Sequence, residues 1–136
     1  MDIRYFPATG GFPETDELVG KRANFHYASG SVLQQYYKDA HTMVWSGVSG
    51  EFAGVEQSEP TLRVFKIARS QYFITWYEKG TVASAAHGEV FEGGYPIAVF
   101  ADFDRRIATA AYTNPKEDGS QYYIVDQATI ELVEGF

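Results

Sequence analysis

Catalytic residue types come closest together in the run Ser70-Gln-Tyr-Phe-Ile-Thr-Trp-Tyr-Glu78. Period-two alternation puts Tyr72, Ile74, Trp76 and Glu78 on one face of a strand and Gln71, Phe73, Thr75 and Tyr77 on the other. If Trp76 faces an interior, Glu78 shares it, and desolvation raises a carboxyl's pKa towards the range useful for a general acid or base. The competing reading ends the strand at Glu78 and lets its carboxylate reach solvent beside Lys79. Tyr27 is the second candidate: Phe25 and Tyr27 share a face of an early strand, and Leu33, Gln35 and Tyr37 share another across the Ser29-Gly30 turn. A tyrosine carries one hydroxyl donor on a wide ring, which suits it to fixing a polar atom in an apolar cavity. Yet the chain has ten tyrosines, and in a β protein most of them serve as strand formers.

Other chemistries find less support. His26, His41 and His87 show no H-x-H or H-x-x-x-H spacing, so no metal site is expected. His26 alternates away from Phe25 and Tyr27 towards the outer surface, and His41 follows a hairpin turn. His87 sits among small residues in Ala83-Ser-Ala-Ala-His-Gly88, a niche where an imidazole shuttles protons or simply bonds the backbone. With no cysteine there is no thiolate nucleophile, disulfide or Cys-ligated metal. Ser46-Gly-Val-Ser-Gly50 lacks the strand-to-helix setting of a serine elbow. The glycines of Gly88-Glu-Val-Phe-Glu-Gly-Gly94 are followed by no Lys-Ser or Lys-Thr and no helix, so no nucleotide loop and no cofactor are expected. Asp102, Asp104, Arg105 and Arg106 form a solvated hairpin tip.

The elements that would position these residues are short strands. At 136 residues, 45% hydrophobic and 16% aromatic, the chain fits one domain. Pro13 to Gly20 carries a helix start, acids in its first turn and a glycine stop, which predicts an arm with a short helix over 1–19 and a β domain over 20–136. Strands are expected near 21–28, 31–38, 41–48, 61–68, 70–78, 81–91, 96–103, 105–113, 121–126 and 128–134. Tight turns at Ser29-Gly30, Lys38-Asp39, Ala68-Arg69, Lys79-Gly80 and Phe103-Asp104 predict antiparallel hairpins. An aromatic meander of this length usually removes its edges by closing, so the expected fold is an all-β, single antiparallel up-and-down barrel, with an antiparallel sandwich as the alternative. The glycine- and glutamate-rich segment 47–60 is expected to bend or bulge, and 92–96 to form a loop at the barrel mouth. A net charge of -7 repels nucleic acid and anionic bilayers. No apolar run reaches membrane-spanning length, and a soluble, cytoplasmic protein is expected.

From Gly20 to about Thr81, an aromatic-x-Tyr pair at Phe25 and Tyr27, the Ser29-Gly30 turn, His41-Thr42, the Ser49-Gly50 and Gly54 bend and Trp76-Tyr-Glu78 occur in an order that resembles phenolic acid decarboxylases and the related MoaF-like proteins. The resemblance implies a lipocalin-like (calycin) barrel, often homodimeric. It implies a p-hydroxycinnamic acid held by two strand tyrosines and an arginine, with a glutamate, here Glu78, assisting proton transfer without a cofactor. The first tyrosine position holds Phe25 and the arginine position holds Val55, which removes the groups that would orient a carboxylate. The expected site therefore has Glu78 and Tyr27 as acid/base and donor, with Phe25, Tyr37, Trp45, Val55, Tyr72, Trp76 and His87 as ligand-binding residues. The expected function is cofactor-free lyase or isomerase chemistry on a small aromatic or unsaturated molecule. The alternatives are a carrier or sensor of an apolar ligand, and a dimeric domain whose interior is filled by its own side chains.

Overall fold

A computed structural model of the chain describes residues 3–78, 94–115, 118 and 120–136. Its strands are β1 (Arg22–Tyr27), β2 (Val32–Asp39), β3 (Thr42–Ser49), β4 (Glu56–Glu59), β5 (Arg63–Ala68), β6 (Gln71–Glu78), β7 (Tyr95–Asp102), β8 (Ile107–Pro115) and β9 (Gln121–Glu134). They form one antiparallel sheet in the order β4-β3-β2-β1-β9-β8-β7-β6-β5. Hairpins join neighbours at the four predicted turns that fall among the described residues. The expected strand at 81–91 and the Lys79-Gly80 turn lie outside them.

Alternation decides which side chains go inside. On β6, Tyr72, Ile74, Trp76 and Glu78 are buried while Phe73 is exposed, and on β1 Phe25 is buried while His26 is exposed and pairs with Glu131. Turn, hairpin and apolar-face signals agree in these strands, which is why they were legible.

Four expectations need correction. The short helix at 13–20 is absent, because the segment is used as a strap. Thr15 N–H donates to Val64 O at 3.0 Å and Lys66 N–H to Pro13 O at 2.9 Å, holding Pro13–Thr15 extended along β5. A turn then brings Leu18 into the core, 2% exposed. Among the described residues the sheet is an open ladder with β4 and β5 as its two ends, so the closure expected of a barrel is not seen there. The strap explains the opening: it occupies the β5 edge that a closing β4 would need, and it protects that edge from pairing with another chain. The ends of the sheet still meet through side chains and a turn, because the Thr61 hydroxyl donates to Tyr77 O and accepts from Tyr77 N–H. The runs 121–126 and 128–134 are one strand, since β9 serves two neighbours, β8 along its first part and β1 along its last. Finally, β4 arises inside the segment expected to bend. Its sequence, Glu56-Gln-Ser-Glu59, has no strand signal, and pairing with Met43–Ser46 of β3 makes it a strand.

The enclosed face packs unevenly along the strands. At one end Phe103 meets Phe25 and Tyr72 edge to face and stacks on Phe136, filling the interior beside Leu18 and Val99. At the other end the residues between β3 and β4 fold back on β3. Gly47 N–H donates to Val55 O at 2.8 Å and Gly54 N–H to Gly47 O at 3.1 Å. Phe52 is thereby set edge-on to Trp45, with ring centroids 6.0 Å apart. This fold-back needs a glycine at 47, where a Cβ would stand 1.7 Å from Phe52 O. Gly47→Ala should therefore cost about 1–3 kcal/mol in urea unfolding, and a cost near zero would mean that Phe52 is not held over β3.

Candidate functional site

The unfilled end of the interior is a cavity of about 210 Å³. Its walls are aromatic: Tyr27 from β1, Trp45 from β3, Phe52 from the fold-back, Trp76 from β6, Tyr95 from β7 and Tyr112 from β8. Glu78 lies in this wall, 6% exposed. The reading in which it reaches solvent is thus set aside, because alternation carries Glu78 inward with Trp76.

Glu78 does not stand alone. Glu59, from the β4 end of the sheet, is 1% exposed and close enough for the Glu78 charge to act on it. Around this carboxyl pair the Trp45 indole N–H donates to Glu59 Oε1 at 3.1 Å, the Gln57 amide donates to the same oxygen at 2.7 Å, and the Tyr95 hydroxyl donates to Glu78. Burial, followed by the neighbouring Glu78 charge, pushes Glu59 up to about 7, against the hydrogen bonds from Gln57 and Trp45. Burial also raises Glu78, opposed by Tyr95, by the nearby Trp76 and Trp45 indoles and by Glu59. Two carboxyls this close ionise as a unit, so near neutrality the pair keeps a proton that isolated carboxyls would have lost.

Two further polar groups belong to residues of the cavity lining, Trp76 and Tyr27. Trp76 Nε1–H is buried and has no hydrogen-bond partner among the described residues. Burial, then the charge of Asp126, keeps the Tyr27 hydroxyl a neutral phenol by raising its pKa. Asp126 is engaged, accepting from Ser29 Oγ at 2.5 Å and from Ser29 N–H at 3.3 Å. No Lys, Arg or His lines the cavity among the described residues. Nor do these contain a cluster of three His, Asp or Glu able to hold a metal.

Of the residues predicted from the sequence, Glu78, Tyr27, Trp45 and Trp76 come together here. Tyr37 stands behind the wall, where its hydroxyl donates to Gln35 Oε1 at 2.6 Å. Phe25 is core, stacked on Tyr27. Val55 is half-buried beside the fold-back and does not reach the cavity. Tyr72 sits at the filled end, donating to Glu17 of the strap at 3.1 Å. His87 lies outside the described residues. Sequence reasoning missed Glu59, Tyr95, Tyr112 and Asp126. Only Gln57-x-Glu59 carried a period-two hint, too short to distinguish from a polar loop.

The class defined here is an all-β protein whose curled sheet encloses an aromatic, carboxyl-bearing cavity of small-molecule size. The MoaF C-terminal domain family matches the chain over residues 12–86, more than half its length, and the chain belongs to that family. No curated protein matches the sequence.

The carboxyl pair gives a signed prediction for stability. A carboxyl that holds its proton more tightly when folded stabilises the fold fully below its unfolded pKa, near 4.5, and loses that contribution as pH rises through about 7. The lowered carboxyls, such as Glu17, Asp102 and Glu131, act below that window. The protein should therefore lose up to about 3 kcal/mol between pH 5 and pH 8 through Glu59. Glu59→Gln keeps the acceptor for Trp45 and should flatten that fall. Urea unfolding of both proteins at the two pH values checks it, and parallel pH profiles would show that the pair does not hold an extra proton.

Proposed function

We propose that the chain binds a small aromatic or unsaturated molecule in this cavity and performs cofactor-free acid/base chemistry on it, of the lyase or isomerase type. On this reading the curled sheet acts as a lipocalin-like barrel, closed functionally although its backbone ladder is open. The observation that carries the proposal is the Glu59–Glu78 pair at an aromatic wall. A proton kept near neutrality in a cavity is what general acid/base catalysis requires.

In this mechanism Glu78, which lines the cavity, exchanges the proton with a carbon or oxygen of the substrate. Glu59, behind it, supplies or takes up the compensating proton, so the pair is restored after each turnover. Tyr27 donates a hydrogen bond to the substrate, while Trp45 and Trp76 supply apolar walls. The phenolic acid chemistry of the resembling decarboxylases is not carried over, because Phe25 and Val55 lack the polar groups and neither reaches the cavity.

Glu78→Gln preserves the shape and acceptor of the side chain but cannot carry the proton. With any molecule that wild-type protein converts, this variant should lose about 10²–10⁴-fold in kcat while its binding changes only severalfold. Turnover measured by mass spectrometry, alongside direct binding, separates the two effects. Undiminished turnover would overturn the role of Glu78, and ligands that bind wild type without yielding product would make the protein a carrier.

A further inference from the structure

The hydrogen bonds around the carboxyl pair are distributed unequally. On Glu59 both donors converge on one oxygen: the Gln57 amide reaches Oε1 at 2.7 Å and the Trp45 indole reaches the same atom at 3.1 Å. An oxygen that accepts two N–H donors is a poor place for a proton, since an O–H there would meet them donor to donor. A proton held by Glu59 therefore sits on Oε2. On Glu78 the Tyr95 hydroxyl donates to Oε2, and the nearby Trp76 and Trp45 indoles act on the carboxyl in the same sense. Glu78 also lines the cavity, whereas Glu59 is buried behind it. Donors and access to the cavity favour charge, and deep burial favours the neutral acid. Negative charge thus belongs on Glu78 and the proton on Glu59. Around the pair and the cavity, the other ionisable groups among the described residues are Tyr95 on β7, Tyr27 on β1, Tyr112 on β8, Asp126 on β9 and Glu51 in the fold-back.

We propose that Gln57 is the positioning residue that fixes the resting proton of the pair on Glu59, so that Glu78 meets its substrate as an ionised base and the substrate is a carbon acid, a molecule with a C–H bond beside an electron-withdrawing group. The second half of this rests on the acid/base reading of the cavity and narrows it to chemistry that opens with proton abstraction. In that step the C–H bond breaks, its electron pair moves onto the withdrawing group, and the proton goes to Glu78. Return of the proton to carbon completes an isomerisation, so no oxidant or co-reactant is needed. Glu59, still protonated, keeps the space behind Glu78 uncharged while Glu78 is ionised. Gln57 also limits how tightly Glu59 holds that proton, because its N–H favours the ionised form.

The proton assignment is read by NMR, titrating protein labelled at the glutamate side-chain carboxyls from about pH 4 to about pH 9. Glu59→Gln and Glu78→Gln assign the two signals. The pair should ionise in two steps, with Glu78 giving the larger change in the first and Glu59 in the second, at about 7. The Gln57 side-chain amide should shift with the second step and not with the first. In Gln57→Met, which keeps the length of the side chain without its donor, the second step should move up by about one pH unit. Should that variant fail to fold, the Gln57 amide of the wild-type protein decides. Glu59 ionising first would overturn the proton assignment, and a second step that neither moves the Gln57 amide nor responds to Gln57→Met would overturn the role of Gln57. Proton abstraction is read separately with 2-nitroethylbenzene, a one-ring carbon acid, as exchange in D₂O of the C–H protons beside its nitro group. Exchange should be at least about tenfold faster with the wild-type protein than with Glu78→Gln. Equal exchange, from a protein whose carboxyls titrate in the expected order, would sink the carbon-acid substrate and the base role of Glu78 while leaving the proton on Glu59. Faster exchange with the order of ionisation reversed would keep the acid/base reading and overturn the proton assignment.

Discussion

The contact on which the site depends is between two carboxyls, Glu59 at one end of the sheet and Glu78 beside the other. It is an expensive contact. Burying a charged carboxylate costs several kcal/mol in practice, and two of them side by side cost more than one. The structure lowers that cost in two ways. Trp45, Gln57 and Tyr95 aim donors at the pair, and the pair keeps a proton, so that it need not carry two charges. Both features also serve acid/base chemistry, because the environment that tolerates the pair holds its proton close to neutral pH.

The pair can form only because the two ends of the sheet meet without a backbone ladder. Pro13–Thr15 occupies the outer edge of β5, tied there by main-chain bonds to Val64 and Lys66 and by Glu14–Arg63 and Glu17–Lys66 ion pairs. These exposed ion pairs are individually weak, about 0–1 kcal/mol each. Their place along one strap matters more than their strength, since the strap blocks direct β4–β5 pairing. Side chains then fill the junction. The strap also brings Leu18 into the core, and the packed end of the interior leaves the empty space around the tryptophans.

What was legible in the sequence followed from short-range pattern. Alternation on β6 placed Trp76 and Glu78 inward, and the Ser29-Gly30 turn folded β2 back on β1, with Phe25 paired to Leu33 and Ala23 to Gln35. Each of those signals lies within one strand or hairpin. The missed features all depend on distant partners. Glu56–Glu59 is a strand only because β3 pairs with it, Pro13–Gly20 is a strap only because β5 offers an edge, and β9 is continuous because β1 takes over where β8 ends. Pro13, with acids after it and a glycine stop, is a sound local helix signal overridden by main-chain bonds to residues some fifty positions away.

The family match and the site divide the molecule differently. Residues 12–86 contain both carboxyls, both tryptophans, Tyr27 and the Phe52 fold-back. Tyr95, Ile97, Tyr112, Ile124 and Asp126, on β7 to β9, lie beyond it and form the facing wall. Proton-holding groups and part of the cavity wall are therefore carried on separate stretches of chain, joined by the β6–β7 and β1–β9 ladders and by the Tyr95 hydroxyl on Glu78. Changing the β7–β9 wall alters cavity shape and polarity without touching Glu59, Trp45 or Gln57. Tyr95 is the exception, because its hydroxyl lowers the pKa of Glu78. A change there would alter ligand fit and proton affinity together, making it the position where binding preference and acid/base behaviour are coupled.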